Sequence, residues 1–124
     1  MAAQTSNIIL VVDDSPTELR LLTAPLKTKG YTVITAVDGE EAIQKACTLL
    51  PRLMLLDVIM PKKNGFQVCR QLKNSPETKD IKIIIISSKS QESDKFWGMK
   101  QGADEYMVKP FDEKTLLANV AKFM

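Results

Sequence analysis

Five short apolar runs, each followed by a segment long enough for a helix, constrain this chain's fold more than anything else in it. They are Ile8–Val12, Tyr31–Thr35, Leu53–Leu56, Ile81–Ile86 and Tyr106–Val108. Continuous Val/Ile/Leu runs without in-and-out alternation predict strands covered on both faces, as in a parallel sheet. The fourth run, with Ile83-Ile84-Ile85-Ile86, is the clearest. The second is shorter and more polar, which predicts an edge strand. Strands alternating with helices give a (βα)5 chain: an α/β, doubly wound fold with right-handed crossovers.

The segments between the runs carry helix boundary signals. Ser15-Pro16 supplies an N-cap hydroxyl and a proline at the first helical position. Glu18 lies in that first turn, where the helix dipole favours it, and Gly30 marks the stop. Pro25 lies inside this helix and predicts a bend. Asp38, with Glu41 three residues on, caps a second helix that runs to about Leu49 before Pro51. A third spans about Gly65 to Leu72, with Phe66, Cys69 and Leu72 on one face. A fourth spans about Ser90 to Gln101, ended by Gly102. The last is capped by Asp112 and packs Leu116, Leu117, Val120 and Phe123.

Reactive residues fall where four of the runs end. Asp13 and Asp14 follow the first, Asp57 the third, Ser87 the fourth and Lys109 the fifth. The carboxyl ends of parallel strands share one edge, and ligands bind in the crevice there. Three carboxylates, a hydroxyl and an ammonium at one mouth suit a divalent metal and a phosphoryl group. Mg²⁺ binds through one or two carboxylates plus phosphate oxygens and keeps several waters. It would relieve the carboxylate repulsion and neutralise charge on a transferring phosphoryl group. Asp57, a single carboxylate closing a central strand, is the best nucleophile. Lys109 can pair with Asp57 or a phosphate oxygen, and Ser87 can donate a hydrogen bond to another.

Composition closes off several alternatives. The chain has 124 residues, enough for one ordinary domain, expected over residues 8–124, after a flexible tail over residues 1–7. It contains no histidine, which removes His-based general bases and His-ligated zinc. The net charge of +2, without a basic stripe, gives no reason to expect nucleic acid. No apolar stretch approaches the ~20 residues of a membrane span, so no membrane insertion is expected. Cys47 and Cys69 lack metal or redox spacing and read as small core residues in a reducing compartment, the cytoplasm. No output domain is expected after the last helix.

With these residues assembled, the chain resembles the receiver domains of bacterial two-component response regulators, and most of all the stand-alone chemotaxis type. The matching segments are Val12-Asp13-Asp14-Ser15, Asp57-Val58-Ile59-Met60-Pro61 with Asn64-Gly65, Ser87-Ser88, and Tyr106-Met107-Val108-Lys109-Pro110-Phe111. The resemblance implies a flavodoxin-like sheet of order 2-1-3-4-5; a chemotaxis receiver is the standard example of that order. It implies that Asp57 is the phosphoacceptor. Asp14, Asp57 and the backbone carbonyl of Ile59 would hold Mg²⁺ (or Mn²⁺) directly, with Asp13 acting mainly through metal-bound water. Lys109 would salt-bridge the phosphoryl group, and Ser87 and Tyr106 would form a switch pair. The implied partners are a histidine kinase or its phosphotransfer domain, and a downstream protein target. The implied chain is a monomeric signalling protein, not a turnover enzyme: it catalyses its own phosphoryl transfer and a slow autodephosphorylation.

Asp14-Ser15-Pro16-Thr17-Glu18, Asn64-Gly65-Phe66-Gln67 and Asp94-Lys95-Phe96-Trp97-Gly98 through Gln101-Gly102-Ala103 resemble the single-domain regulators of type IV pilus systems, which serve twitching motility or phototaxis. Ile59 and Lys89 depart from the flagellar chemotaxis pattern, where an Asn and an acidic residue are familiar. Both are expected to overhang the acyl phosphate and bear on its dephosphorylation. A flavin-binding flavodoxin shares the architecture, but Asp13-Asp14 in the first loop would repel its phosphate. A haloacid-dehalogenase-like phosphatase would resemble Asp-x-Asp after the nucleophilic strand, where this chain has Ile59. Phe96, Trp97 and Met99 cluster in the fourth helix. With Tyr106, Trp97 is a candidate partner surface formed with the fifth strand and fifth helix.

Overall fold

The computed structural model describes residues 7–124. Its elements are β1 (Ile8–Val12), α1 (Pro16–Thr28), β2 (Thr32–Ala36), α2 (Gly39–Leu49), β3 (Leu53–Asp57), α3 (Gly65–Lys73), β4 (Lys82–Ser87), α4 (Glu92–Lys100), β5 (Glu105–Val108) and α5 (Glu113–Ala121). The five strands are parallel, in the order β2-β1-β3-β4-β5. The expected order and edge position of β2 are therefore present. The expected tail lies outside the described residues except for Asn7. That residue is tied to the sheet: its carbonyl accepts from the Thr32 amide (3.2 Å) and its side chain donates to the Gly30 carbonyl (3.3 Å).

Strand alternation divides the apolar runs between two cores. Leu10, Val12, Met54, Leu56, Ile83 and Ile85 face α2 and α3, packing on Ala42, Ala46, Val68, Cys69 and Leu72. Ile9, Val11, Leu53, Leu55, Ile84 and Ile86 face α1 and α5, packing on Leu22, Leu26, Leu116 and Val120. Both faces of β1, β3 and β4 are thus buried, which is why those strands read as unbroken hydrophobic runs.

The helix caps form as the sequence requires. Ser15 Oγ accepts from the Glu18 amide, Asp38 from Glu41, Asn64 from Gln67 and Asp112 from Thr115. Glu41 also reaches back to the Val37 amide (2.8 Å). α1 runs through Pro25 to Thr28 and is capped by Lys29, with Gly30 at φ 93°. β2 begins at Thr32 because the Tyr31 amide is taken by the Leu26 carbonyl of α1. α4 begins at Glu92, two residues later than the sequence suggests, with Gln91 donating its amide to Asp94.

One expectation is corrected. Cys69 is buried, but Cys47 is exposed on α2. The helix turns its core stripe through Ala42 and Ala46, and the next residue falls on the solvent face. Burial holds the Cys69 thiol neutral, with a pKa of about 12.

Candidate functional site

The carboxyl edge of the sheet gathers the predicted residues. Asp13 directly follows β1 and is only 1% exposed. Its backbone amide donates to the Ala36 carbonyl at the end of β2 (3.1 Å). Its Oδ1 accepts from the Ser15 amide (3.0 Å), which locks its rotamer. Asp14, next along, is exposed. Asp57 closes β3 and is largely buried. One carboxylate oxygen from each of Asp13, Asp14 and Asp57 lies within 4.8 Å of the others.

Lys109 follows β5 and reaches across this cluster. Its Nζ is 3.3 Å from Asp13 Oδ2 and 3.9 Å from Asp57 Oδ1. It is also 3.2 Å from Glu18 Oε1, a contact that sequence reading missed. The Lys109 amide donates to the Ser87 carbonyl (2.8 Å), so the ends of β4 and β5 are joined at the site.

Three carboxylates, Asp13, Glu18 and Asp57, therefore share one ammonium, with Asp14 close by in the same cluster. Burial raises the Asp57 pKa; Lys109 and the Val58 amide oppose this, and Asp13 and Asp14 add to it, for a value of about 6 against the usual 3.8. Burial alone would lower the Lys109 pKa, but Asp57, Asp13 and Glu18 outweigh it and raise it. An all-oxygen, carboxylate-rich donor set short of positive charge fits a hard divalent cation such as Mg²⁺.

A stability test follows from this charge imbalance. A carboxyl whose pKa is raised in the fold opposes folding once ionised. The cost is absent below the unfolded value, 3.8, and grows as pH rises through about 6. Without divalent metal at pH 7.5, Asp57→Asn should be more stable than the wild type by roughly 2 kcal/mol, the full shift being reduced by ionic screening. Urea unfolding with chelator at pH 7.5 and pH 4 measures it; the gap should close at pH 4. An equal gap at both pH values would remove the electrostatic explanation.

The remaining predicted residues are on β4, β5, α4 and the loops that follow β3 and β4. Ser87, the last residue of β4, is 1% exposed, and its Oγ accepts from the Lys89 amide (3.0 Å). Tyr106, on β5, is half-buried against the α2–α3 side of the core, and its hydroxyl donates to the Lys89 carbonyl (2.9 Å). Both switch candidates thus hold the same β4–α4 loop residue. A Cβ at Gly98 would stand 2.9 Å from the Tyr106 ring and 3.3 Å from Ile85, so α4 keeps a glycine where this ring needs room. Phe96, Trp97 and Met99 are exposed at 64%, 51% and 47%, which settles them as surface rather than core. Beside them, Lys95, Tyr106, Phe111, Thr115 and Asn119 line a cavity of about 300 Å³ on the α4–β5–α5 face. The Ile59 side chain is 60% exposed in the loop after Asp57, and Lys89 is exposed in the loop after β4.

Comparison with known proteins agrees with this geometry. The sequence profile of the response regulator receiver domain matches residues 9–121. The chain is 47% identical over 112 residues to Protein PilH of Pseudomonas aeruginosa, covering 90% of this chain and 93% of that one. Other curated relatives are longer, and the chain spans only 25% of one and 46% of another. Chemotaxis response regulator CheY4 of Vibrio cholerae superposes with a TM-score of 0.90 at 31% identity, covering 97% of this chain and all of that one. A chain of a Borrelia burgdorferi CheX-CheY-BeF3-Mg complex superposes with a TM-score of 0.87 at 30% identity, covering 93% of this chain and 87% of that one. No helix among the described residues is long and apolar enough to cross a membrane. An acidic mouth at the carboxyl edge of a 2-1-3-4-5 sheet, crossed by one lysine, and a profile match over nearly the whole chain lead to one conclusion: the protein belongs to the response regulator receiver domain family.

Proposed function

We propose that this chain is a phosphoacceptor switch that takes a phosphoryl group from a histidine kinase, or its phosphotransfer domain, onto Asp57. One observation carries the reading: Asp13, Asp14 and Asp57 converge while Lys109 reaches within 3.9 Å of Asp57. An Asp57 carboxylate oxygen attacks the phosphorus of a phosphohistidine. The new O–P bond forms as the P–N bond breaks, and the imidazole leaves with the electron pair and takes up a proton. Asp14, Asp57 and the Ile59 carbonyl would hold Mg²⁺, with Asp13 acting through metal-bound water; bound Mg²⁺ would neutralise charge on the phosphoryl oxygens. Lys109 stabilises another phosphoryl oxygen by charge, and the Ser87 hydroxyl by donating a hydrogen bond. The cost of ionising Asp57 in this pocket supports the need for a cation. No turnover of an external substrate is required.

Mass spectrometry after treatment with acetyl phosphate and Mg²⁺ tests the assignment. One added phosphoryl group is expected, absent in Asp57→Asn and suppressed by chelator. Undiminished labelling of Asp57→Asn would sink it.

The output would run through Ser87 and Tyr106 to the α4–β5–α5 face. When Ser87 Oγ turns to a phosphoryl oxygen it gives up the Lys89 amide. Tyr106 holds the carbonyl of the same residue, so the loop and ring shift together and Trp97 lies on the face that changes. A phosphoryl group thereby biases a two-state equilibrium that a downstream protein reads. Amide exchange over residues 87–108 should change with beryllofluoride and Mg²⁺; identical exchange would leave the switch without support. The type IV pilus resemblance and the similarity to PilH support a role in motility signalling.

A further inference from the structure

Lys109 stands nearer to Glu18 (3.2 Å) and Asp13 (3.3 Å) than to Asp57 (3.9 Å), a separation too long for a hydrogen bond. The ammonium is drawn toward the α1 side of the acidic mouth. Glu18 reaches it from a fixed base, because its backbone amide is held by Ser15 Oγ at the helix cap. Its side chain is partly exposed and borders a cavity of about 320 Å³ between α1 and the β5–α5 connection. Leu21, Leu22, Phe111 and Leu116 form other parts of that wall. A carboxylate released from Lys109 therefore has space and water to turn into.

We propose that Glu18 is a positioning residue for the phosphoryl site. It holds Lys109 off Asp57 until a phosphoryl group draws the ammonium across. The inference rests on the phosphoacceptor reading above. Phosphorylation places about −1.5 to −2 charges beside Asp57, which outcompetes a partly hydrated carboxylate for Lys109. Until then, only part of the population has Lys109 free for the phosphoryl oxygens. Apparent affinity for a phosphoryl group falls by that fraction. For a partly exposed ion pair the factor is about threefold.

The test is a ¹⁹F NMR titration of beryllofluoride, a phosphoryl mimic, at saturating Mg²⁺. Glu18→Gln, which keeps shape and removes charge, should bind about threefold tighter than the wild type. Lys109→Met should abolish that difference, since the two residues act as a coupled pair. Glu113→Gln removes a carboxylate from another wall of the same cavity, where it is not paired with Lys109. It should leave the affinity unchanged. Equal tightening by Glu113→Gln overturns the proposal, as does a Glu18→Gln effect that survives in Lys109→Met. Unchanged or weaker binding by Glu18→Gln overturns it too. If Lys109→Met binds no mimic, the Glu18→Gln and Glu113→Gln comparison decides alone. Failure of the wild type to bind beryllofluoride overturns the phosphoacceptor reading, and this inference with it.

Discussion

Lys109→Ala is expected to accept a phosphoryl group on Asp57 roughly a hundredfold more slowly than the wild type while keeping its fold. The ammonium lies at the acidic mouth, 3.3 Å from Asp13 and 3.9 Å from Asp57. A preorganised charge aimed where negative charge develops is worth about 3 kcal/mol, or on the order of a hundredfold in rate. The truncation also leaves Asp13, Asp57 and Glu18 without their shared cation. The variant should therefore lose stability in chelator at neutral pH, and Mg²⁺ should restore much of it. Time courses of acetyl phosphate labelling, read by mass spectrometry, give the rate; urea unfolding with and without Mg²⁺ gives the stability. Wild-type values in both would reduce Lys109 to an ordinary surface charge.

How much of this was legible in the sequence depended on whether a signal was local. The run Ile83–Ile86 announces a strand buried on both faces, and the structure divides it between the two cores. The side-chain caps at Ser15, Asp38 and Asp112 act within three residues, so they could be read directly; the Asn64 cap, though equally local, was not read. The strand-end positions of Asp13, Asp57, Ser87 and Lys109 followed from the runs themselves. Glu18 was legible only as a first-turn acid. Its pairing with Lys109 joins residues 91 positions apart and exists because α1 and α5 share a face of the sheet. Cys47 was misread because a cysteine in a helical pattern carries no sign of which face it takes. Helix α4 hid its orientation too: Gly98 is its one buried residue, so the large side chains that would reveal a core stripe lie outside. The Lys73–Asp104 ion pair (2.9 Å), which also caps the Ile83 amide, links α3 to the start of β4 and β5 with no local signal at all.

Gly65→Ala should be the most damaging single methyl in the loop after β3. A Cβ at this position would lie 2.3 Å from the Asp57 carbonyl oxygen and 2.9 Å from Val58 Cα. Both are backbone atoms, so no rotamer change can relieve the clash. Gly65 also donates its amide to the Val58 carbonyl at 2.8 Å, which stitches the start of α3 to the end of β3. The added methyl must push these two segments apart, and one of them carries Asp57. Overpacking against rigid backbone costs about 3 kcal/mol, or roughly 10 °C in melting temperature for a domain of this size. Function should suffer beyond stability, because a displacement near 1 Å at a reacting group costs on the order of a hundredfold. At a temperature where the variant remains folded by circular dichroism, its labelling by acetyl phosphate should be at least about tenfold slower than that of the wild type. Its Mg²⁺ affinity should fall as well, since Asp57 and the Ile59 carbonyl belong to the displaced segment. A variant that melts with the wild type would mean that the close approach of α3 to Asp57 is not required. One that is destabilised but labels normally would separate the packing role of Gly65 from any part in aiming the phosphoacceptor.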